Sequence, residues 1–173
     1  MRGNIQRVSG NIWYFHTRGE WIVVPTNGTV KKDGRAVMGR GIAKEAKRRF
    51  PALPTTLGDR LSLCGNIPLL FEQYRLITFP VKEVWWGKAK ISLLDISCRL
   101  LNTLIDNYNY RFNITIMAKP RIQRVYLPKV GCGNGKLDWD RVKPVLDTRL
   151  DKSVCDYMWV EYKGLRLAGS QEV

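Results

Sequence analysis

The sequence predicts an α/β fold in which helices cover both faces of a central sheet. Short apolar runs, typical of strands buried on both faces of a parallel sheet, alternate with segments whose apolar residues recur at helical spacing. Two glycine-rich segments each lie between a predicted strand and a predicted helix. Because ligands in such folds bind beyond the carboxyl ends of the strands, a binding site is expected at these junctions.

The first half of the chain is predicted to alternate between strands and helices. Trp21 to Pro25 is a short apolar run of the kind that forms a buried strand. Ile42, Ala46 and Phe50 recur at helical spacing, and Pro51 ends that helix. The other predicted elements are a strand pair or long bent strand at Ile5 to Phe15, interrupted by Gly10 and Asn11, a short helix at Thr55 to Cys64, and a strand at Tyr74 to Phe79 that delivers Pro80, Val81 and Lys82 at its end.

The second half begins with a long predicted helix, for which Ser92 and Asp95 are expected to form the N-terminal cap. Its apolar stripe consists of Leu94, Cys98, Leu101 and Ile105. We expect one domain over residues 1–163, followed by a polar C-terminal tail at 164–173. The remaining predicted elements are strands at Phe112 to Met117, Val125 to Leu127 and Met158 to Tyr162, and a final helix from near Val142 to Leu150.

The chain is strongly basic. Lysine and arginine number 29 against 15 for aspartate and glutamate, which gives a net charge of +14. Such an excess attracts polyanions, and nucleic acid is the common one. The basic residues are spread along the chain, with clusters at Lys44 to Arg49 and Lys119 to Arg124, and no base-reading motif accompanies them. A solvated basic surface without a nucleic-acid partner is the alternative interpretation.

Cysteine and histidine usage argues against a metal or redox centre. None of the four cysteines lies in a C-x-x-C pair, so free thiols are expected, and we expect neither metal nor cofactor. The one histidine, His16, excludes a His-rich metal centre and suits a structural or surface role better than catalysis. If the protein is an enzyme, Lys, Asp, Asn or main-chain groups must carry the chemistry.

Membrane association is not expected. No apolar run reaches the ~18 residues that a spanning helix needs. The N-terminal residues lack the apolar core of a secretory signal. A cytoplasmic, monomeric protein is therefore predicted.

The two glycine-rich segments are candidate phosphate-binding loops. Gly131, Gly133 and Gly135 place three glycines in five residues after an apolar run. Met38 to Gly41 opens a helix after the earlier strand. Such loops let main-chain N–H groups approach an anion, and two of them suit a diphosphate and hence a nucleotide-like ligand. Plain tight turns are the alternative. Cys132, between two of the glycines, suits a small filler better than a nucleophile.

Three candidate residues follow predicted strands, namely Asn27, Lys82 and Gly131. The carboxyl ends of parallel strands meet at one edge of a sheet, so these residues are expected to converge on one crevice despite their separation in sequence. From the residues alone Lys82 would be an ordinary surface lysine. Trp85 and Trp86 nearby could partly desolvate its amine and lower its pKa. We interpret the two tryptophans as core or rim packing, with a base-stacking platform as the alternative.

Two segments carry a family resemblance, the run from Pro128 to Trp139 and the run from Val37 to Ala43. They resemble the macrodomain family, the ADP-ribose-binding fold, and within it the branch of DarG DNA ADP-ribosyl glycohydrolase and terminal ADP-ribose protein glycohydrolase. Phe79 to Lys82 is similar to the DarG strand end that carries a catalytic lysine. The chain also resembles stand-alone macrodomains of bacteria and their phages. The resemblance covers Gly10 to Tyr162 and implies a three-layer α/β/α fold with a mixed, mostly parallel sheet.

The resemblance also implies roles for individual residues. Lys82 and Asn27 would be catalytic, with Lys82 acting on the anomeric carbon as nucleophile or electrostatic partner and Asn27 bonding the terminal ribose. The loop from Gly39 to Ile42 would hold one phosphate, and the loop from Gly131 to Gly135 would wrap the other phosphate and the terminal ribose. Asn11 and Ile12 would lie near the adenine. The implied ADP-ribose-binding residues are Asn11, Ile12, Thr26, Met38, Gly39, Arg40, Gly41, Ile42, Val130, Gly131, Cys132, Gly133, Asn134 and Gly135.

The chain departs from its relatives in three places. The loop between Asn27 and Met38 is longer than in DarG and contains Lys31 and Lys32. Asn134 and Gly135 stand where the protein glycohydrolase has an aspartate, so this chain, like DarG, has no carboxylate there. The connection from Tyr110 to Arg124 is longer than usual and is expected to add an edge strand or hairpin.

The resemblance, together with the two glycine loops and Lys82, predicts a hydrolase that binds ADP-ribose and removes it from a modified macromolecule. The basic charge favours a DNA-linked substrate over a protein-linked one. The alternatives are a phosphatase that acts on ADP-ribose 1''-phosphate, a non-catalytic ADP-ribose reader, and a basic nucleic-acid-binding protein without affinity for ADP-ribose. A catalytic lysine favours the glycohydrolase, because a reader does not need one.

Overall fold

The computed structural model describes residues 5–113 and 120–163, which form one six-stranded sheet flanked by helices. The strands are β1 (Gln6–Gly10), β2 (Trp21–Asn27), β3 (Leu69–Phe71), β4 (Leu76–Lys82), β5 (Arg124–Leu127) and β6 (Asp156–Tyr162). The α-helices are α1 (Ile12–Thr17), α2 (Gly41–Arg49), α3 (Leu53–Cys64), α4 (Ile91–Asn113) and α5 (Trp139–Arg149), and a short 3-10 helix at Glu72–Tyr74 joins β3 to β4.

The strand order is β1-β6-β5-β2-β4-β3, and every neighbouring pair is parallel except β3 with β4. The predicted mixed, mostly parallel sheet is therefore confirmed. β5, β2 and β4 lie side by side in the middle of the sheet, so their carboxyl ends share one edge. A register shift after Thr26 places Asn27 opposite Lys82.

Two apolar layers, one on each face of the sheet, confirm the three-layer architecture. Side chains of successive strand residues point to opposite faces, and β2 divides accordingly. Val23 packs with the residues of α4 and α5, whereas Ile22 and Val24 pack with those of α1, α2 and α3. The predicted stripe of the long helix lies in the first layer, where all four members are fully buried, namely Leu94, Cys98, Leu101 and Ile105.

The prediction of a strand across residues 5–15 is wrong in its second half. β1 ends at Gly10, whose φ of +147° favours glycine and turns the chain out of the sheet. The Asn11 side chain accepts a hydrogen bond from the Trp13 main-chain N–H at 2.9 Å and so caps α1. Ile12 and Trp13, apolar enough for a strand, are buried as helix residues instead.

The long helix also differs from its prediction. It begins at Ile91, so Ser92 and Asp95 lie inside it rather than at its cap. Asp95 instead pairs with Arg99 on the same helix and with Arg149 on α5. The helix continues to Asn113, which overturns the start of the predicted strand at 112–117.

Several further predictions concern the connections and the end of the chain. The final helix begins at Trp139, earlier than the predicted start near Val142. The strand β3 was not predicted, because a strand of three residues shows too little sequence pattern. The part of the predicted 112–117 strand after Asn113 and the tail at 164–173 lie outside the described residues. In the long connection, residues 120–123 form no strand, and Asn109 fastens its end by bonding both main-chain groups of Ile122.

Other sequence expectations can be compared with single contacts. The four cysteines are free, as expected. His16 Nε2 lies 2.7 Å from the carbonyl oxygen of Tyr74. This structural contact joins α1 to the short 3-10 helix before β4. Over residues 5–113 and 120–163, the helices are all too short or too polar to cross a membrane.

Candidate functional site

A cavity of about 800 Å³ opens at the carboxyl ends of β2, β4 and β5. A cavity of this size is in the range of small-molecule and cofactor sites. The structure brings most of the implied site residues to its wall, from segments far apart in sequence. They are Thr26, Asn27, Gly39, Arg40, Gly41, Ile42, Lys82, Gly131, Gly133, Asn134 and Gly135.

Five implied residues do not line this cavity. Asn11 is exposed at the cap of α1, and the other four are packing residues. Ile12, Met38 and Val130 are buried in the apolar layers. The Cys132 thiol donates to the Val130 carbonyl at 3.5 Å, and partial burial raises the pKa of that thiol. A thiol held in its neutral form is a poor nucleophile, which favours the filler interpretation of Cys132.

The first glycine loop along the chain, from Met38 to Gly41, leads into the N-terminus of α2. The N-terminal end of a helix presents main-chain N–H groups without helical acceptors and a partial positive charge. Arg40, the N-cap residue, has extended backbone and makes no side-chain capping bond, and the first turn contains no acidic residue. Gly41 has a φ of +53°, which favours glycine. This helix end, at the cavity wall, is therefore suited to an anion.

The second glycine loop, from Gly131 to Gly135, is held in shape by hydrogen bonds between its own main-chain groups. The N–H of Leu137 donates to the Gly131 carbonyl at 2.9 Å, and a Cβ at Gly135 would lie 2.3 Å from that same oxygen. At Gly133, by contrast, a Cβ would meet no atom within 4 Å. The loop thus needs glycine at Gly135 for its own packing and leaves open space at Gly133, on the cavity side.

The two loops approach each other at the cavity wall. A Cβ built on Gly41 would lie 3.6 Å from the side-chain nitrogen of Asn134. One loop belongs to the helix that follows β2 and the other follows β5, the neighbour of β2 in the sheet. Two anion-binding loops at this separation can share one diphosphate.

Lys82 lies at the end of β4 and lines the same cavity as the two loops. Its main-chain carbonyl accepts a hydrogen bond of 2.9 Å from the Asn66 side chain, which fixes the strand end. Partial burial, followed by the positive charges of Arg40 and Lys136, lowers the pKa of the Lys82 amine. The lowered pKa confirms the direction expected from the sequence, but two neighbouring cations that were not anticipated contribute to it. A lowered pKa increases the fraction of neutral, nucleophilic amine at a given pH.

Asn27, opposite Lys82, stabilises the loop that follows it. Its side-chain oxygen accepts from the Thr29 N–H at 2.9 Å, and its side-chain nitrogen donates to the Val37 carbonyl at 3.0 Å. A carboxamide can accept and donate one further hydrogen bond each after these contacts. Asn27 therefore combines a structural role with groups that remain able to bind a ligand.

Part of the cavity wall was missed by sequence reasoning. The long loop after β2 brings Val30, Lys31 and Lys32 to the wall, and Trp85 reaches it from the loop after β4. Trp85 is 50% exposed and Trp86 is 68% exposed, so these tryptophans do not belong to the core. Of the expected core or rim packing, only the rim position agrees with the structure, since Trp85 lines the cavity. The unusual length of the lysine-containing loop was the available signal for its contribution.

Within the described parts of the chain, no group of three or more His, Cys, Asp or Glu side chains is placed to hold a metal ion. The donors around the cavity are main-chain N–H groups, amides and cations, all of which suit an anionic ligand.

Comparisons with known proteins identify the fold. No family model matches the chain. It is 30% identical over 117 residues to a Mycobacterium tuberculosis protein named DNA ADP-ribosyl glycohydrolase, over 62% of this chain and 30% of that protein. The chain thus spans less than a third of the length of that relative. Its structure matches the macrodomain of M. tuberculosis DarG with a TM-score of 0.70 and 27% identity, over 92% of this chain and 97% of that one.

A likeness that extends over nearly all of both chains makes this protein a macrodomain. The same fold recurs in Thermosipho africanus DarTG in complex with ADP-ribose, at a TM-score of 0.65 and 19% identity, over 90% of this chain and 42% of that one. Within this fold, the chain is similar to the DarG macrodomain, at 27% identity.

Proposed function

We propose that this macrodomain binds ADP-ribose in the cavity and hydrolyses the glycosidic bond that links ADP-ribose to a DNA base. The observation that carries the proposal is the position of Lys82, an amine of lowered pKa, in a cavity between two loops suited to phosphates. The named activity of the M. tuberculosis relative and the ADP-ribose bound in the T. africanus protein support it.

The lining of the cavity supports a placement of the diphosphate and the terminal ribose. The N-terminus of α2 would hold one phosphate through main-chain N–H groups, and the loop from Gly131 to Gly135 would hold the other and the terminal ribose. The anomeric carbon would then face Lys82, with Asn27 bonding the ribose. Cleavage breaks the bond from the anomeric carbon to the base, water supplies the new hydroxyl, and the base leaves with a proton.

Charge supports DNA as the carrier of the modification. A net charge of +14 favours a polyanion, and Lys31 and Lys32 bring part of that charge to the cavity wall. A monomeric state, a cytoplasmic location and the domain limits at 163 and 164 stay predictions.

The direct test compares substrates. Single-stranded DNA and a protein, each carrying one ADP-ribose, are incubated with the macrodomain, and released ADP-ribose is quantified. We expect faster release from DNA, and release that falls steeply as salt rises, because phosphate contacts displace counterions. The affinity for free ADP-ribose should fall far less. Equal rates on both substrates with parallel salt dependence would contradict the DNA assignment.

The pH profile of release should report on Lys82. If the neutral amine attacks, the rate rises with pH through a midpoint below the ordinary lysine pKa of 10.5. If the ammonium acts electrostatically, the rate falls through the same midpoint. Lys136→Gln removes a cation that lowers this pKa, so it should move the midpoint upward in either case. Lys44→Gln removes an equal charge from α2 and serves as the control. An unmoved midpoint in Lys136→Gln would exclude Lys82 as the titrating group.

A further inference from the structure

Trp85 and Trp86 form an exposed aromatic pair at the mouth of the cavity. Their rings are 5.8 Å apart between centroids and lie at 86° to each other, so the pair offers two ring faces in different directions. Trp85 lines the cavity, whereas Trp86 lies outside the lining and is 68% exposed. Large exposed aromatic side chains placed together usually mark a binding surface.

The loop that carries the pair is held firmly. The main-chain N–H of Trp85 donates to the Thr29 hydroxyl at 3.1 Å, and the main-chain N–H of Gly28 donates to the Glu83 carbonyl at 3.0 Å. The Gly87 N–H closes a turn onto the Val84 carbonyl at 3.1 Å. The two tryptophans are therefore presented on a main chain tied to the end of β2, beside the lysine-containing loop.

The charge around the pair is positive. Glu83 is paired with Lys90 at 2.8 Å, and Asp33 is paired with Arg35 at 2.7 Å, so these two carboxylates of the flanking loops are compensated. Lys31, Lys32 and Lys88 are exposed in the same two loops. Exposed aromatic rings between cations are the combination by which proteins bind single-stranded nucleic acid, because bases stack on the rings while the cations contact phosphates.

We propose that Trp86, supported by Trp85, stacks on an unpaired base adjacent to the modified nucleotide, while Lys31 and Lys32 contact the neighbouring phosphates. The position beside Lys82 rests on the proposed function, since it takes the modified base to be at the cavity mouth. The surface itself depends only on exposure and charge. Such a surface would select a single strand over a duplex, in which base faces are covered by their neighbours.

The test uses unmodified, fluorescently labelled single-stranded DNA and measures affinity by anisotropy. Trp86→Ala should weaken binding by about tenfold or more, as expected for loss of one stacked base. Trp86→Phe, which keeps a ring, should retain most of the affinity. Tyr110→Ala is the matched control, because Tyr110 is 64% exposed near the far end of α4, roughly 28 Å along the helix from Ile91.

An abasic oligonucleotide of the same length separates stacking from charge. It keeps every phosphate but offers no base to stack. Wild type and Trp86→Ala should therefore bind the abasic oligonucleotide with the same affinity. Affinity for free ADP-ribose, measured by calorimetry, should be unchanged in Trp86→Ala and shows that the variant is folded. Equal losses on normal and abasic DNA, or no loss on either, would overturn the platform.

The two proposals fail separately. If Trp86→Ala binds DNA as wild type does while ADP-ribose is still released from modified DNA, the platform is wrong and the hydrolase assignment holds. If wild type binds DNA through Trp86 but releases no ADP-ribose, the platform holds and the proposed function fails.

Discussion

Lys82→Ala is expected to reduce the release of ADP-ribose from modified DNA by at least ~100-fold, the typical effect of losing a positioned acid–base or nucleophilic group. ADP-ribose affinity should change little, because main-chain groups of the two loops supply most diphosphate contacts. Release is measured by single-turnover assay and affinity by calorimetry. Lys152→Ala is the matched control and should keep wild-type activity, because Lys152 precedes the amino end of β6, at the opposite edge of the sheet.

Lys82→Arg and borohydride trapping distinguish the two roles of the lysine. Arginine keeps the positive charge but cannot supply a neutral amine, so it should retain part of the activity only if Lys82 acts electrostatically. A borohydride-trapped adduct at Lys82 would establish the nucleophile, since the amine then bonds the anomeric carbon as the base leaves. Full activity in Lys82→Ala would overturn the hydrolase mechanism and favour the phosphatase or the reader.

Gly133→Val should weaken ADP-ribose binding by roughly 100-fold, or about 2.8 kcal/mol, from an expected micromolar affinity of the wild type. A Cβ at this position meets no protein atom within 4 Å, so valine would occupy the cavity rather than disturb the loop. Calorimetry with ADP-ribose measures the loss, and thermal unfolding should give a nearly unchanged Tm.

Gly135→Val provides the contrasting control. Its Cβ would lie 2.3 Å from the Gly131 carbonyl oxygen and 2.7 Å from the Ala89 Cβ, so this variant should lower Tm as well as binding. If Gly133→Val bound ADP-ribose normally, the second glycine loop would not hold the diphosphate.

The cavity could be anticipated because its parts have local signals. Apolar runs define β2, β4 and β5, and the residues that the site needs lie at the carboxyl end of each strand or in the loop after it. Once the strands are parallel neighbours, Asn27, Lys82 and Gly131 must meet at one edge. Local pattern failed where two structures compete for the same residues. Ile12 and Trp13 suit a strand by composition, but the turn at Gly10 ends the strand and the Asn11 side chain caps a helix there.

By itself, the sequence determined the α/β class, the two glycine loops and the lysine at a strand end, because these depend on short-range pattern and chain direction. The tertiary structure alone decided which groups surround Lys82. Partial burial, and then the charges of Arg40 and Lys136 from different loops, lower the pKa of Lys82. Asn66 donates a hydrogen bond to the main-chain carbonyl of Lys82. The tertiary structure also exposed Trp85 and Trp86, which apolar character alone assigned to packing. Burial and charge environment arise from segments distant in sequence, so no local pattern contains them.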